Sequence, residues 1–265
     1  MAFQPESRWT NPLGTAQQGW GRTAGVDAAT LDAGLRAYML RVYNWMASGL
    51  LLTGIVAYLV AHTGLSELFY SVVRTPRGLA TAPTILGYAA IFSPLIFVLV
   101  LSFGINRMSR GTVQALFWAF AAVMGVSMAN IFVIYTGSSI ASTFFITAAM
   151  FASMSLIGYT TQRDLSKLGS IMLMGLIGII LASAVNIFLQ SGALAFAISV
   201  IGVVVFCGLT AFDTQRIKND YIEHSYAEGT DEAAKRSVMD ALGLYLNFIN
   251  LFQLLLSFMG NRNQG

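Results

Sequence analysis

Long apolar runs separated by short polar segments dominate this chain. Seven of the runs are about 20 residues or longer, which is the length that a helix needs to cross the hydrocarbon core of a bilayer. We therefore predict seven membrane-spanning helices, over residues 37–61, 84–103, 112–136, 140–161, 168–189, 193–212 and 241–260. The predicted fold class is an all-α polytopic membrane protein, folded as a seven-transmembrane-helix bundle.

The segments outside these runs divide the chain into three parts. Residues 1–36 are polar and contain several glycines, and we predict a largely disordered N-terminal tail without the pattern of a secretory signal peptide. Residues 37–260 form the transmembrane domain, and 261–265 form a short C-terminal tail. Two longer connections lie within the domain. The first, 64–83, is interpreted as a short interfacial helix, and the second, 213–236, as a charged loop.

Composition supports the membrane class and excludes others. The chain is 56% hydrophobic and only 10% charged, with a mean hydropathy of +0.67, whereas a soluble domain carries about 25% charged residues. The net charge of +3 comes from basic residues scattered between the spans, which is not the pattern of a nucleic-acid surface. The one cysteine, Cys207, excludes an intramolecular disulfide and is interpreted as a packing residue within a span.

The distribution of Lys and Arg predicts the orientation. Basic connections favour the cytoplasmic side of a membrane. Twelve of the fifteen Lys and Arg residues fall on the face that receives the N-terminus and the connections after the second, fourth and sixth spans. The N-terminus is therefore predicted to be cytoplasmic and the C-terminus to lie on the far side. A re-entrant last segment would instead return the C-terminus to the cytoplasm.

The candidate chemistry begins with Asp213, where the sixth apolar run ends. A carboxylate at this depth is costly to bury unless it is paired or hydrated. The predicted topology places Arg107 at the same level with the opposite charge. Arg216 is the alternative partner, because residues three apart on a helix face each other. The sequence leaves both pairings open.

The seventh span carries further polar residues. Asp240 lies at its start, and Asn247 and Asn250 lie within its apolar run. Asp240 and Asn247 are two helical turns apart, so they share a face and differ in depth by about 10 Å. The two amides are also explained by hydrogen bonds between helices, a common structural role for Asn in membranes.

Two stretches resemble the Bax inhibitor-1 family, the transmembrane BAX inhibitor motif proteins, in its bacterial branch. They are GLTAFDTQRIK at 208–218 and ALGLYLNFINLFQLLLSFMG at 241–260. The resemblance covers about residues 36–260 and includes all seven spans. It implies a seven-helix protein of the bacterial inner membrane that passes calcium down its gradient in a pH-dependent way.

The resemblance also implies site residues. Family members have one aspartate on helix six and one on helix seven that share a proton, and an arginine on helix two that pairs with the first aspartate. These positions fall on Asp213, Asn247 and Arg107. Asn247 departs from the family pattern, because an amide cannot release a proton and the coupled titration of two carboxylates is lost. Asp213 and Asn247 could still ligate calcium transiently through their oxygens, and Asp240 could supply the missing charge.

Two functional hypotheses follow. The first is a cation leak channel, for calcium, modulated by pH and gated where helices two, six and seven meet. The alternative is a non-conducting interaction protein that modulates an inner-membrane protease or membrane-protein quality control. Enzymatic activity and a resident cofactor are not expected. His62 and His224 lie on opposite faces of the predicted bundle, and a second intramembrane carboxylate is replaced by Asn247.

Overall fold

The computed structural model describes residues 17–75, 78–224, 230–261 and 263, and its described side chains exclude those of 17–30, 72–81, 106, 224 and 230. A short 3-10 turn spans Ile105–Arg107. The elements, in chain order, are α1 Gln17–His62, α2 Ser66–Phe69, β1 Tyr70–Thr75, β2 Gly78–Pro83, α3 Ile85–Gly104, α4 Arg110–Met128, α5 Ile131–Ile134, α6 Gly137–Thr160, α7 Ser166–Leu189, α8 Gly192–His224 and α9 Thr230–Met259.

Seven of these helices are long and apolar enough to cross a membrane. They are α1, α3, α4 with α5, α6, α7, α8 and α9, and they correspond one to one with the seven predicted spans. The predicted all-α seven-helix membrane bundle is thus confirmed. α9 is continuous from Thr230 to Met259, so the alternative of a re-entrant last segment does not apply.

Helices α8 and α9 are longer than predicted. α8 continues past Asp213 to His224, and α9 begins at Thr230, so most of the predicted loop 213–236 is helical. The sequence of these extensions contains no Pro or Gly, and its apolar residues recur at helical spacing. Ile217 on α8 and Val238 on α9 are accordingly buried. Burial of these apolar positions keeps both extensions helical beyond the apolar runs.

The first helix also begins earlier than predicted. Residues 1–16 of the predicted tail lie outside the described residues, but α1 begins at Gln17, so 17–36 are helical. No proline interrupts this stretch. Leu35, Tyr38 and Met39 are buried on one face of α1, which draws the helix against the bundle before the predicted span begins.

The predicted interfacial helix at 64–83 is wrong for most of its length. Among the described residues of this stretch, only Ser66–Phe69 is helical, and β1 and β2 pair antiparallel, with Tyr70 opposite Pro83. The β-branched residues of β1 favour a strand. The hairpin packs back on the bundle through Tyr70, whose hydroxyl donates to the carbonyl oxygen of Ser127 at 3.2 Å, where α4 ends.

Helix α9 is the centre of the bundle. It packs against α1, α4, α6 and α8, and its Leu244, Tyr245 and Leu251 are fully buried. Tyr245 meets Phe117 and Phe120 of α4 edge to face. In contrast, α7 packs chiefly on α8, and its apolar side chains face outward. The polar residues of α9 therefore lie where the other helices converge.

The two ends of the bundle differ in character. One end holds the turn before α4, the connection between α6 and α7, the end of α8 and the start of α9, and we refer to it as the charged end. An ion pair between Arg110 and Asp231, with nitrogen and oxygen 3.7 Å apart, joins two of these parts. At the opposite end, the backbone N–H of Asn261 donates to Ser139 Oγ at 2.9 Å. This contact places the C-terminal residues beside the start of α6.

We predict that Gly158→Ala destabilises the bundle. A Cβ at Gly158 would lie 2.2 Å from the backbone oxygen of Ala211, so α6 and α8 would have to separate. Overpacking of this kind costs about 1–3 kcal/mol, and thermal denaturation in detergent should show a lower Tm. Gly178→Ala on α7 is the matched control, because its Cβ would meet nothing within 4 Å. Equal Tm values for the two variants would contradict the close packing of α6 on α8.

Candidate functional site

Asp213 joins α8 to α9 within the bundle. Its Oδ2 accepts a hydrogen bond from Asn247 Nδ2 at 2.7 Å. Its Oδ1 lies 3.1 Å from Arg216 Nη2 on the same helix. The structure thus brings together Asp213 and Asn247, and it realises the local alternative for the charge partner. Both carboxylate oxygens are engaged by donors, one from each side.

Burial explains why both donors matter. The Asp213 side chain is 15% exposed and Asn247 is 6% exposed, so little water reaches the carboxylate. An ion removed from water must recover its solvation from protein groups. Arg216 supplies a charge and Asn247 supplies a hydrogen bond. Because the Arg216 side chain is 47% exposed, it reaches the carboxylate from the exposed face of α8.

The predicted pairing of Asp213 with Arg107 is absent. Arg107 is exposed in the short turn before α4, and it forms no ion pair with Asp213 among the described residues. The predicted topology puts the two groups at the same level of the membrane, but equal level does not bring them onto adjacent helix surfaces. Arg216 is held one helical turn from Asp213 by the helix itself, so the local pair forms without any movement of α3.

Asp240 occupies a separate position at the charged end. Tyr38 of α1 donates its hydroxyl hydrogen bond to Asp240 Oδ2 at 2.5 Å. The ring of Tyr38 also packs against the ring of Tyr221, with centroids 4.8 Å apart. Asp240 therefore joins α9 to α1, whereas Asp213 joins α9 to α8. The structure does not bring Asp240 into hydrogen-bonding contact with Asp213.

The residues beside Asp213 each fasten α8 to another element. Thr214 shares a hydrogen bond with Ser155 of α6 at 3.0 Å, and Ser155 shares another with Tyr43 of α1 at 2.5 Å. Thr214 also donates to the carbonyl oxygen of Thr210 in its own helix, at 2.8 Å. A chain of hydroxyl groups therefore connects α1, α6 and α8 one residue away from Asp213.

Gln215 binds the backbone of the connection between α6 and α7. Its Oε1 accepts from the N–H of Leu165 and its Nε2 donates to the carbonyl oxygen of Arg163, both at 2.8 Å. Lys218 Nζ donates to the carbonyl oxygen of Tyr159 near the end of α6, also at 2.8 Å. Gln215 and Lys218 belong to the GLTAFDTQRIK motif, but the sequence alone indicates no role for either residue. Their position close to Asp213 in the chain was the one sequence signal that could have identified them.

Asp164 stabilises the start of α7 in the same connection. Its Oδ1 accepts from the hydroxyl and the backbone N–H of Ser166, at 2.6 and 2.9 Å. These bonds, the hydroxyl first, hold the pKa of Asp164 below its ordinary value of 3.8. The resulting stability is present above the ordinary pKa and is lost as the pH falls through the lowered one. A response between neutral and mildly acidic pH therefore does not come from Asp164.

The site offers few ligands for a resident metal. Among the described residues, no group of three or more His, Cys, Asp or Glu side chains is arranged to hold an ion. Asp213 and Asn247 are oxygen donors of the kind that calcium accepts, but Asp213 already binds Arg216 and Asn247. His62 stacks on Tyr58 with ring centroids 4.1 Å apart, and the side chain of His224 lies outside the described residues.

Comparison with known proteins gives a consistent family match. A family model described as "Inhibitor of apoptosis-promoting Bax1" matches residues 35–264. Protein RP147 of Rickettsia prowazekii is 48% identical over 234 residues, which is 88% of this chain and 93% of that protein. "Inner membrane protein YbhL" of Escherichia coli K12 is 47% identical over 231 residues, covering 87% and 94% of the two chains. A protein of Caulobacter vibrioides is 43% identical over 251 residues, covering 93% and 98%.

We predict that Gln215→Ala loosens the connection between α6 and α7. The substitution leaves the N–H of Leu165 and the carbonyl oxygen of Arg163 without their partner, at a cost of about 1–3 kcal/mol. Hydrogen–deuterium exchange of the peptide spanning 161–167 should become faster. Gln114→Ala on α4 is the control, because the Gln114 side chain forms no hydrogen bond within the described structure. Unchanged exchange in Gln215→Ala would show that the glutamine is not what fastens this connection.

Proposed function

The chain belongs to the Bax inhibitor-1 family, and from this membership and the geometry around Asp213 we propose that it is a calcium leak channel. The gate lies where α8 and α9 meet near the charged end of the bundle. The relative named as an inner membrane protein supports placement in the bacterial inner membrane. The excess of basic residues supports a cytoplasmic N-terminus. The proposal includes no enzymatic reaction and no resident cofactor.

The observation that carries this proposal is the ionisable group at the interface of α8 and α9. An ionisable side chain inside a membrane protein is costly and commonly marks an ion or proton pathway. Asp213 provides such a group, with 15% of its side chain exposed. Its partner Asn247 belongs to α9, the helix around which the bundle is packed. Movement at this contact would alter the centre of the bundle rather than its periphery.

We take the described arrangement as the closed form of the pathway. The ion pair with Arg216 neutralises the carboxylate, and the hydrogen bond from Asn247 holds α8 against α9. Opening requires that these donors leave, so that carboxylate and amide oxygens face a permeating cation. Protonation of Asp213 would favour this step by removing its attraction to Arg216. The Arg107 latch implied by the family resemblance is replaced in this mechanism by Arg216.

A second candidate function rests on the projecting ends of α8 and α9. These ends carry charged and exposed side chains, including Glu223, Asp231 and Glu232. Exposed charged helices of this kind suit a protein partner at this end of the bundle, such as an inner-membrane protease that regulates protein turnover. In this alternative the bundle anchors the projecting helices and does not conduct. Deletion of 2–16 and substitutions in 220–236 would then abolish partner capture and leave calcium flux unaffected.

We expect Asp213→Ala to raise calcium flux into proteoliposomes at neutral pH by about tenfold or more, because hydrogen bonds to charged groups contribute about 1.5–3 kcal/mol. The substitution removes both the ion pair and the contact with Asn247. Asn250→Ala is the control, since Asn250 donates to Leu246 within its own helix at 2.8 Å. If the calcium flux of both the native protein and Asp213→Ala is no greater than that of empty liposomes, the channel proposal fails. The non-conducting interaction protein then becomes the favoured function.

Asn247→Asp is expected to sharpen the pH response of the same flux. It would place a second carboxylate within hydrogen-bonding distance of Asp213, and two such groups share one proton rather than both ionising. Flux should then change more steeply between neutral and mildly acidic pH than in the native protein. An identical pH profile would show that this contact does not control conduction.

Comparison of two arginine variants tests which cation holds Asp213. Arg216→Gln should raise flux because it removes the partner 3.1 Å from the carboxylate. Arg107→Gln is the matched control and should leave the flux close to that of the native protein. The reverse result would favour a pairing of Arg107 with Asp213 and would overturn the assignment of Arg216.

A further inference from the structure

A groove of about 1040 Å³ opens between α1 and α6 on the outer surface of the bundle. Phe248 of α9 contributes to its floor, so the groove reaches the central helix. Several of the residues that line it are strongly exposed, including Leu51 at 66% and Leu156 at 62%. In a membrane this surface faces lipid rather than water. Its apolar lining includes Leu40, Met46, Leu51, Ile55, Ala152 and Leu156.

The charge at the groove is of one sign. Arg36 is the charged residue among those that line it, and no acidic side chain does so. Arg36 is exposed and forms no ion pair within the described part of the chain. A second cation lies close by, because Lys218 Nζ is 5.8 Å from the ring centroid of Tyr159, which also lines the groove. Apolar walls with a positive mouth suit an anionic amphiphile.

The groove is longer than one leaflet, because its lining on α1 runs from Arg36 to Leu59, which is about 35 Å along a helix. The part next to Arg36 is the part that one leaflet covers. Half of a hydrocarbon core about 30 Å thick is about 15 Å, and ten helical residues span the same distance. Starting from Arg36, that length reaches Met46 on α1. Tyr43 and Ser155 lie within this depth and are hydrogen-bonded to each other at 2.5 Å, so these two polar groups are satisfied without water. The floor beside an occupant is therefore effectively apolar.

We propose that this groove binds an anionic phospholipid of the leaflet at the charged end. One acyl chain lies between α1 and α6, and the phosphate lies at Arg36 with Lys218 nearby. A zwitterionic lipid such as phosphatidylcholine would find the same apolar walls and would also offer a phosphate, but its cationic choline group would be repelled by Arg36 and Lys218. The charge at the mouth thus selects the headgroup, and the walls hold the chain. This inference does not depend on the ion-leak proposal.

The first test measures headgroup selectivity by native mass spectrometry of the full chain in detergent. Phosphatidylglycerol and phosphatidylcholine with identical acyl chains are titrated separately. We expect one phosphatidylglycerol to bind about fivefold more tightly, as befits a single basic residue near a membrane surface. Arg36→Gln should abolish the preference. Arg41→Gln should retain it, because Arg41 lies about 140° around the same helix and lines a different surface with Trp45 and Trp118.

The second test blocks the groove. Ala152→Trp places a large ring among the lining residues and should remove the tightly bound phosphatidylglycerol. Ala149→Trp is the matched control, since Ala149 is exposed on the same helix but is not a lining residue. An equal loss of preference in Arg36→Gln and Arg41→Gln would overturn the proposal. So would equal binding of the two lipids by the native protein, or unchanged binding in a folded Ala152→Trp variant.

Discussion

The cost of holding an ionised carboxylate among apolar helices governs the arrangement of this protein. Asp213 cannot rely on water at 15% exposure, so its solvation must come from neighbouring groups. Arg216 and Asn247 supply it from opposite sides, and Asn247 does so from the central helix. This requirement places Asp213 of α8 against Asn247 of α9.

In the rest of the bundle, neutral polar groups and small residues hold the helices together. Helices in lipid gain little from hydrophobic contact with each other, so small residues and interhelical hydrogen bonds hold them together. Tyr245 of α9 shares a hydrogen bond with Thr53 of α1 at 2.7 Å, and Thr53 donates to the carbonyl oxygen of Ala121 on α4 at 2.8 Å. Gly158 lets α6 approach the backbone of α8. Each of the helices that surround α9 is therefore tied by at least one polar or close-packed contact.

The sequence could predict the spans because apolar length is a property of each helix alone. The contact of Asp213 with Asn247 followed from a family resemblance, since no spacing rule relates residues on two different helices. The sequence left Arg107 and Arg216 open as partners of Asp213, and the structure shows the pair with Arg216, because equal depth in a membrane does not imply adjacent faces. The helical extensions of α8 and α9 were missed because charge was interpreted as loop. Ile217 and Val238 recur at helical spacing with the neighbouring apolar residues, and this pattern indicated helix. The hairpin after α2 was missed because aromatic and aliphatic residues among charges suit either structure.

In the proposed gate, Asn247 stands where a second carboxylate would be, so the pair of Asp213 with Arg216 is the part on which acid would act. An amide N–H can donate to Asp213 whether or not the carboxyl group is protonated, so acid leaves this contact between α8 and α9 available. Protonation removes instead the attraction between Asp213 and Arg216. Arg216 is half exposed on the outer side of α8, where ionic strength and anionic surfaces act on it more strongly than on a buried group. In the proposed mechanism, control of Asp213 would thus depend on the charge environment at the bundle surface as well as on the proton, because Arg216 is more exposed than Asn247.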